Sequence, residues 1–195
     1  IRFVGETGLT FQSDMAIDDV LVLFSPTATP TVTRTPTQHP SPIPTQIPTL
    51  SPTSLPTLSG LPYCNFDSDT CSFSNTGSLD WTRGASTSTP YTGPQSGDHT
   101  SGTGNFMYVE ASTPNYPSKG PFTLESSSFS QEEGDFMVSF WYSMYGLHMG
   151  TLQLDLYDGS SASWVTAWSK SGNQGQDWKD ASAVSYTHLT LPTTW

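Results

Sequence analysis

Apolar and polar residues alternate along several short segments of the chain, and this period of two is typical of strands with one buried face. The clearest segment runs from Phe136 to Tyr145, where Phe, Val, Phe, Tyr and Met occupy every second position. Leucines alternate with polar residues at 152–156, and shorter apolar segments occur at 106–111, 122–124 and 164–168. Gly, Pro, Asn and Ser clusters separate them. The pattern predicts an all-β protein, an antiparallel sandwich or barrel.

Residues 25–62 have a different pattern. Ten of the 16 prolines lie there together with ten threonines, one arginine and no acidic residue. Prolines at this density fix φ and remove backbone donors, so neither a helix nor a sheet can propagate. The few large apolar groups cannot offset the entropy of an ordered chain. We expect a disordered, extended Pro/Thr/Ser-rich linker, which is either O-glycosylated or an unmodified spacer.

Charge and composition narrow the classes of function. The 195 residues include 17 acidic and 6 basic side chains, which gives a net charge of −11 without a basic cluster. This balance argues against nucleic-acid binding, because phosphate contacts need Lys and Arg. No apolar stretch is long enough for a transmembrane segment. The chain starts at Ile1 in what resembles the middle of a strand, so we expect a fragment of a longer extracellular protein.

The two cysteines, Cys64 and Cys71, enclose six residues. No second Cys or His pair follows at the spacing of zinc ligands, which disfavours a zinc site. A local disulfide in an oxidising compartment is the expected state, and two reduced thiols are the alternative.

Several motifs around this pair occur in a recognisable order. Cys64-x-Phe-Asp-x3-Cys71 is followed by Asp80-Trp81, GDHT at 97–100, FMYVE at 106–110 and FWYSMYG-x3-GTL from Phe140. Together they resemble the MAM domain, the extracellular module of meprins, neuropilins and receptor tyrosine phosphatases. The resemblance covers residues 63–183. It implies a jelly-roll sandwich of two antiparallel sheets, a secreted or cell-surface location, and a role in adhesion or protein association.

Residues 1–24 resemble the last two strands of the same fold, through IRFVGETG and SDMAIDDV. The resemblance implies the C-terminal fragment of a first MAM domain, the linker 25–62, and a second, C-terminally truncated MAM domain at 63–183. The parent protein would then carry MAM repeats in tandem. The family's second disulfide is missing: Met137 occupies its third cysteine position, and no Cys follows Asp18-Asp19. We expect apolar packing in its place.

The last residues, 184–195, do not fit the family pattern. Residues 184–193 resemble a translated sequencing adapter, so we expect the fold to end at Ala183. A genuine final strand is the alternative.

Candidate chemistry is sparse. No nucleophile–base constellation occurs, and His99 is expected to have a structural hydrogen-bonding role, so no catalytic residue and no cofactor are predicted. Asp67 and Asp98 are short carboxylates in loops that could hold a structural calcium or sodium ion. The Asp18-Asp19 strand would contribute in the family, but we expect the second module to lack its own copy. Asx-type turn bonding is the alternative role of these carboxylates.

The tryptophans are the remaining candidates. Trp81 and Trp141 are expected in the core. Trp164 and Trp168 are expected to share one strand face, which would form part of the core or a sugar-stacking platform. The sequence thus predicts a non-catalytic interaction module that contacts other proteins, including other MAM domains, through sheet faces and loops. The alternatives are a carbohydrate-binding accessory module of a secreted hydrolase, or the MAM portion of a larger enzyme.

Overall fold

The computed structural model describes residues 1–24, 63–128 and 136–185, and within them it contains ten strands. The predicted linker and most of the predicted adapter tail lie outside the described residues. The strands are β1 (Arg2–Glu6), β2 (Met15–Phe24), β3 (Phe73–Asn75), β4 (Thr82–Gly84), β5 (Phe106–Val109), β6 (Phe122–Ser126), β7 (Phe136–Met144), β8 (Thr151–Asp158), β9 (Ser163–Ser171) and β10 (Gly175–Ser185). No described segment is helical, so the described residues contain no helix that could cross a membrane.

The strands form two five-stranded sheets, in the orders β3-β6-β1-β8-β9 and β10-β7-β2-β5-β4. Every pairing between these strands is antiparallel. The predicted all-β antiparallel jelly-roll sandwich is therefore confirmed.

The core lies between the two sheets, where alternating side chains of each sheet meet. Phe3 of β1 contacts Phe140 of β7 across the interface, with ring centroids 5.0 Å apart in an edge-on arrangement. Burial alternates along β7 as the sequence predicts, with Val138 and Phe140 inside. Trp81 is buried as expected, and its indole N–H donates to the carbonyl of Phe122 at 3.0 Å.

Residues 1–24 belong to the same sandwich as residues 63–185. β1 is the middle strand of its sheet, between β6 and β8, and β2 is the middle strand of the other, between β7 and β5. Phe3, Met15 and Ile17 are fully buried. The sequence predicted two closing strands of this fold, and the structure shows that they complete the sheets formed by the residues after the linker.

Three local features differ from the expectations or extend them. β10 continues two residues past Ala183, where Val184 pairs with Met137 and Ser185 with Phe136. Met137 also pairs with Leu23 of β2, so an apolar pair lies beside the position of the missing cysteines. Trp141 was expected in the core, but it lies on the outer face of β7 because its neighbour Phe140 faces inward.

Candidate functional site

A group of carboxylates on β2 meets the loop that follows β4. The register of β2 against β7 shifts between Asp18 and Leu21, and Asp19 has a positive φ of 51°. This bulge directs both Asp18 and Asp19 toward the GDHT loop. The Oδ2 atom of Asp18 accepts the backbone N–H of His99 at 2.9 Å. Burial raises the pKa of Asp18 to about 7, although that hydrogen bond lowers it.

The His99 side chain is held on two sides. Its Nδ1 atom lies 2.5 Å from Oδ2 of Asp19, and its ring stacks on Trp141 with centroids 3.6 Å apart. The hydroxyls of Tyr63 and Thr100 also donate to Asp19. Within the described ranges, no serine or cysteine side chain hydrogen-bonds to His99. The arrangement ties the loop to β2 and provides no nucleophile for a base to activate.

The carboxylate of Asp98 accepts hydrogen bonds from the backbone of its own loop. Its Oδ1 atom accepts the backbone N–H of Gly104 at 2.6 Å, and its Oδ2 atom accepts the backbone N–H of Ser101 at 2.9 Å. Although burial opposes the shift, these hydrogen bonds lower the pKa of Asp98. The carboxylate is therefore engaged in turn bonding of the Asx type.

Asp67 lies on the other side of the same glycine. Its Oδ1 atom accepts the backbone N–H of Asn105 at 3.0 Å. A Cβ atom on Gly104 would stand 1.9 Å from that oxygen and 3.0 Å from Cγ of Asp98, so only glycine allows both carboxylates to approach this backbone. The two predicted cation ligands are thus brought together.

The Asp18-Asp19 strand, which we expected this module to lack, is supplied by β2. The charge of Asp98 is one cause of the raised pKa of Asp18. Among the described residues, no group of three or more His, Cys, Asp or Glu side chains is arranged to hold a metal ion. A cation at Asp67 and Asp98 stays a prediction, and a calcium titration of the melting temperature would test it.

Asp14 is a further buried carboxyl that the sequence analysis did not identify. Its Oδ1 atom accepts the backbone N–H of Ala111 at 2.8 Å, and its Oδ2 atom has no hydrogen-bond partner among the described residues. Burial raises the pKa of Asp14 to about 8, and the nearby charge of Glu110 adds to the shift. The N–H of Asp14 donates to the hydroxyl of Thr92 at 2.8 Å. Asp14 therefore joins the start of β2 to two neighbouring loops.

The expectation that Trp164 and Trp168 share a face is wrong. A register shift in the β8–β9 pair adds one residue to β9, so Trp164 pairs with Tyr157 and Trp168 pairs with Leu154. Trp168 points inward, with ring centroids 4.9 Å from Tyr142. Trp164 faces outward, 5.3 Å from the ring of Tyr157 and 4.4 Å from the guanidinium of Arg2. The two tryptophans cannot form one platform.

An exposed apolar surface forms at one end of the sandwich, where the β1–β2 and β7–β8 loops meet. The N–H of His148 donates to the carbonyl of Gln12 at 3.2 Å, and Nδ1 of His148 lies 2.9 Å from the hydroxyl of Thr10. These bonds join the two loops, which carry three exposed apolar side chains. We call them the apolar tip: Leu9, Phe11 and Leu147, which are 70%, 49% and 74% exposed.

The apolar tip was absent from the sequence analysis because its members lie in loops. No periodicity marks them, and Leu147 lies 136 positions from Phe11 in the chain. The antiparallel pairings of β1 with β8 and of β2 with β7 bring the two loops to the same end.

An antiparallel sandwich closed by a local disulfide is typical of extracellular binding modules. The disulfide joins Cys64 and Cys71, as expected. The family model of the MAM domain (meprin/A5/mu) matches residues 64–191, which is more than half of the chain. The chain belongs to the MAM family. It is secreted or at the cell surface, as expected, and it is an adhesion or interaction module.

The chain is similar to several curated proteins over this region. It is 37% identical over 118 residues to MAM domain-containing protein 2 of Mus musculus, covering 59% of this chain and 17% of that protein. It is 37% identical over 110 residues to neuropilin-1a of Danio rerio, covering 54% and 11%. It is 31% identical over 140 residues to MAM domain-containing glycosylphosphatidylinositol anchor protein 2 of Mus musculus, covering 64% and 15%. The chain thus spans less than a fifth of each. No solved structure gives a significant match.

Proposed function

We propose that the module is non-catalytic and associates with other proteins through the apolar tip. The single observation that supports this function is the exposure of Leu9, Phe11 and Leu147 together at one end of the sandwich. Clustered apolar side chains in solvent are characteristic of protein contact sites. Loops held by a rigid sheet scaffold also commonly carry binding residues.

The proposed partner is another MAM module, so the contact is homophilic. The tip is uncharged, which allows two copies to approach there although the chain has a net charge of −11. A contact between two identical tips would bury Leu and Phe side chains on both partners, and each buried side chain stabilises association by about 1.5–3 kcal/mol before the costs of ordering.

The test is aggregation of beads that carry the full chain at fixed density. We expect wild-type beads to aggregate, and beads carrying Leu9→Asp together with Leu147→Asp to aggregate at least about tenfold more slowly. The physical reason is that a charge placed in an apolar contact must lose its water.

Val165→Asp is the matched control, since Val165 is 51% exposed on β9 and lies outside the tip. Equal aggregation of wild-type beads and the tip variant would contradict the proposal, as would an equal loss in the control. Far-UV circular dichroism of the variants verifies that the sandwich remains folded.

A second candidate function is glycan binding, which the outward pair of Trp164 and Tyr157 favours. Tyr157 is 53% exposed, and the Arg2 guanidinium lies over the Trp164 ring. Aromatic faces of this kind can stack on sugars. A glycan array would support this function over the first if binding were lost in Trp164→Ala and Tyr157→Ala and retained in the tip variant.

We also propose that the parent protein carries MAM modules in tandem, with Pro/Thr-rich linkers between them. The order of the motifs supports this arrangement, because residues 1–24 have the pattern of the closing strands of the fold but precede the motifs of residues 63–183 in the chain. A linker between modules would set the distance over which two apolar tips can act together.

A further inference from the structure

The two central strands of the sandwich come from a segment that is separate in the chain from the other eight. β1 forms ladders with β6 and β8, and β2 forms ladders with β5 and β7. Without them, each sheet would be split in its middle and both inner ladders would be unpaired. Unpaired strand edges readily accept another strand.

This segment is also a large part of the core. Phe3, Met15 and Ile17 are fully buried, and Phe3 packs on Phe140 of the opposite sheet. Without this segment, the rest of the sandwich has a gap in each sheet, flanked by two strand edges that can form hydrogen bonds and lined by apolar core side chains. We call the two gaps together the slot. The occupant that fits this slot is a strand pair with the sequence pattern of β1 and β2.

The covalent connection does not specify which copy supplies the occupant. Residues 25–62 place 38 residues between Phe24 and Tyr63. Val20 and Cys64 pair across an isolated bridge. The connection therefore has to span only the length of strand from Phe24 back to Val20, which is about four residues or about 13 Å at 3.3 Å per residue. A connection of this length can close within one chain or reach a neighbouring one.

We propose that residues 1–24 are an exchangeable strand pair, and that two copies of the chain associate by inserting this pair into each other's slot. The contacts are those of the single chain, so exchange requires no new interface. Closure within one chain is favoured below about millimolar concentration, the effective concentration that a linker provides. Dense display on a surface, or a shortened linker, favours exchange between copies.

The test uses the cross-strand pair of Leu23 and Met137. These residues are register partners on β2 and β7, and cross-strand Cα atoms are separated by about 4.5–5.5 Å, within the range that a disulfide spans. One full-length copy carries Leu23→Cys and an affinity tag, and the other carries Met137→Cys. The two are unfolded together, refolded at about 1 mM and oxidised mildly. A disulfide between them forms when β2 of one copy lies beside β7 of the other.

We expect a disulfide-linked heterodimer at least about ten times more abundant than in a control pair with Leu9→Cys and Met137→Cys, because Leu9 lies in the β1–β2 loop at the tip. The double variant Leu23→Cys with Met137→Cys in one chain should form an intramolecular disulfide at micromolar concentration. A heterodimer no more abundant than the control contradicts exchange. Failure of the double variant to cross-link contradicts the placement of β2 itself.

Deletion of residues 25–62 supplies an independent measurement. With Phe24 joined directly to Tyr63, one residue must cover about 13 Å, which two Cα steps of 3.8 Å cannot do while β2 stays paired. We expect the deletion variant to be a dimer by light scattering, and a variant that keeps 12 linker residues to remain a monomer. A folded monomeric deletion variant would contradict the proposal. Both light-scattering variants carry Leu9→Asp and Leu147→Asp, which removes the proposed contact between tips, and the disulfide forms only where β2 lies beside β7. The outcome is therefore separate from that of the proposed function.

Discussion

At the scale of single residues, the buried carboxyl of Asp14 has the largest expected effect on how the free energy of unfolding depends on pH. Its pKa is raised from 3.8 to about 8 by burial, because the protein interior disfavours the charged form. The unfolded chain releases the proton of this group near pH 4, whereas the folded chain retains it to about pH 8. The stability that Asp14 contributes is therefore complete below pH 4 and is lost as the pH rises to about 8.

The wild type should lose stability between pH 5 and pH 8, and we expect Asp14→Asn to lose less. At pH 8 the free energy of unfolding of the variant should exceed that of the wild type by on the order of 2 kcal/mol. The amide cannot ionise, and its oxygen can still accept the N–H of Ala111. Urea unfolding at several pH values measures the effect.

Asp158→Asn is the control for this measurement. Asp158 is fully exposed, and hydrogen bonds from Ser160 and Ser161 lower its pKa to about 2, so it does not titrate between pH 5 and pH 8. If Asp14→Asn and Asp158→Asn had the same pH profile as the wild type, the assigned protonation of Asp14 would be wrong. Asp18, with a pKa of about 7, adds to the same slope in every variant.

At the scale of elements, the one-residue bulge in β9 divides two tryptophans between the core and solvent. Trp168 packs edge-on against Phe140 and Tyr142, whereas Trp164 lies on the outer face. We expect Trp168→Ala to lower the free energy of unfolding by about 2–4 kcal/mol, because it leaves a cavity between the sheets. We expect Trp164→Ala to lower it by less than about 1 kcal/mol. Denaturant unfolding measures both.

Equal losses in the two variants would contradict this assignment of faces. Each substitution removes the same side chain from the same strand, so each is the matched control of the other.

The strands that could be predicted from sequence are those with strict alternation and one buried face. β7 and β8 have this pattern, because their inner residues pack against the opposite sheet. β10 was not predicted, since most of its eleven residues are exposed or half-buried and carry no period-two signal. The bulge in β9 could not be predicted either, because an extra residue is revealed only by the partner strand.

Less of the candidate site than of the fold could be predicted from the sequence. Asp67 and Asp98 were identified, and they do lie beside one glycine. That Asp18 and Asp19 join Asp98 and His99 depends on contacts across about 80 positions, which no local pattern records. The apolar tip depends in the same way on two loops that are distant in the chain.

At the scale of the whole molecule, residues 1–24 and 63–185 form one sandwich. The strands of the first segment lie in the middle of both sheets, and residues 2–5 and 15–17 pair with neighbouring strands on both sides. Amides opened only by global unfolding exchange at the slowest rates.

Hydrogen exchange of the full chain, followed by mass spectrometry or NMR, tests whether the two segments form one sandwich. We expect the amides of Phe3–Gly5 and Met15–Ile17 to be protected to the same degree as those of Val138–Tyr142, and to lose protection together with them as denaturant is added. If residues 1–24 exchanged within seconds while β7 remained protected, the single sandwich would be contradicted.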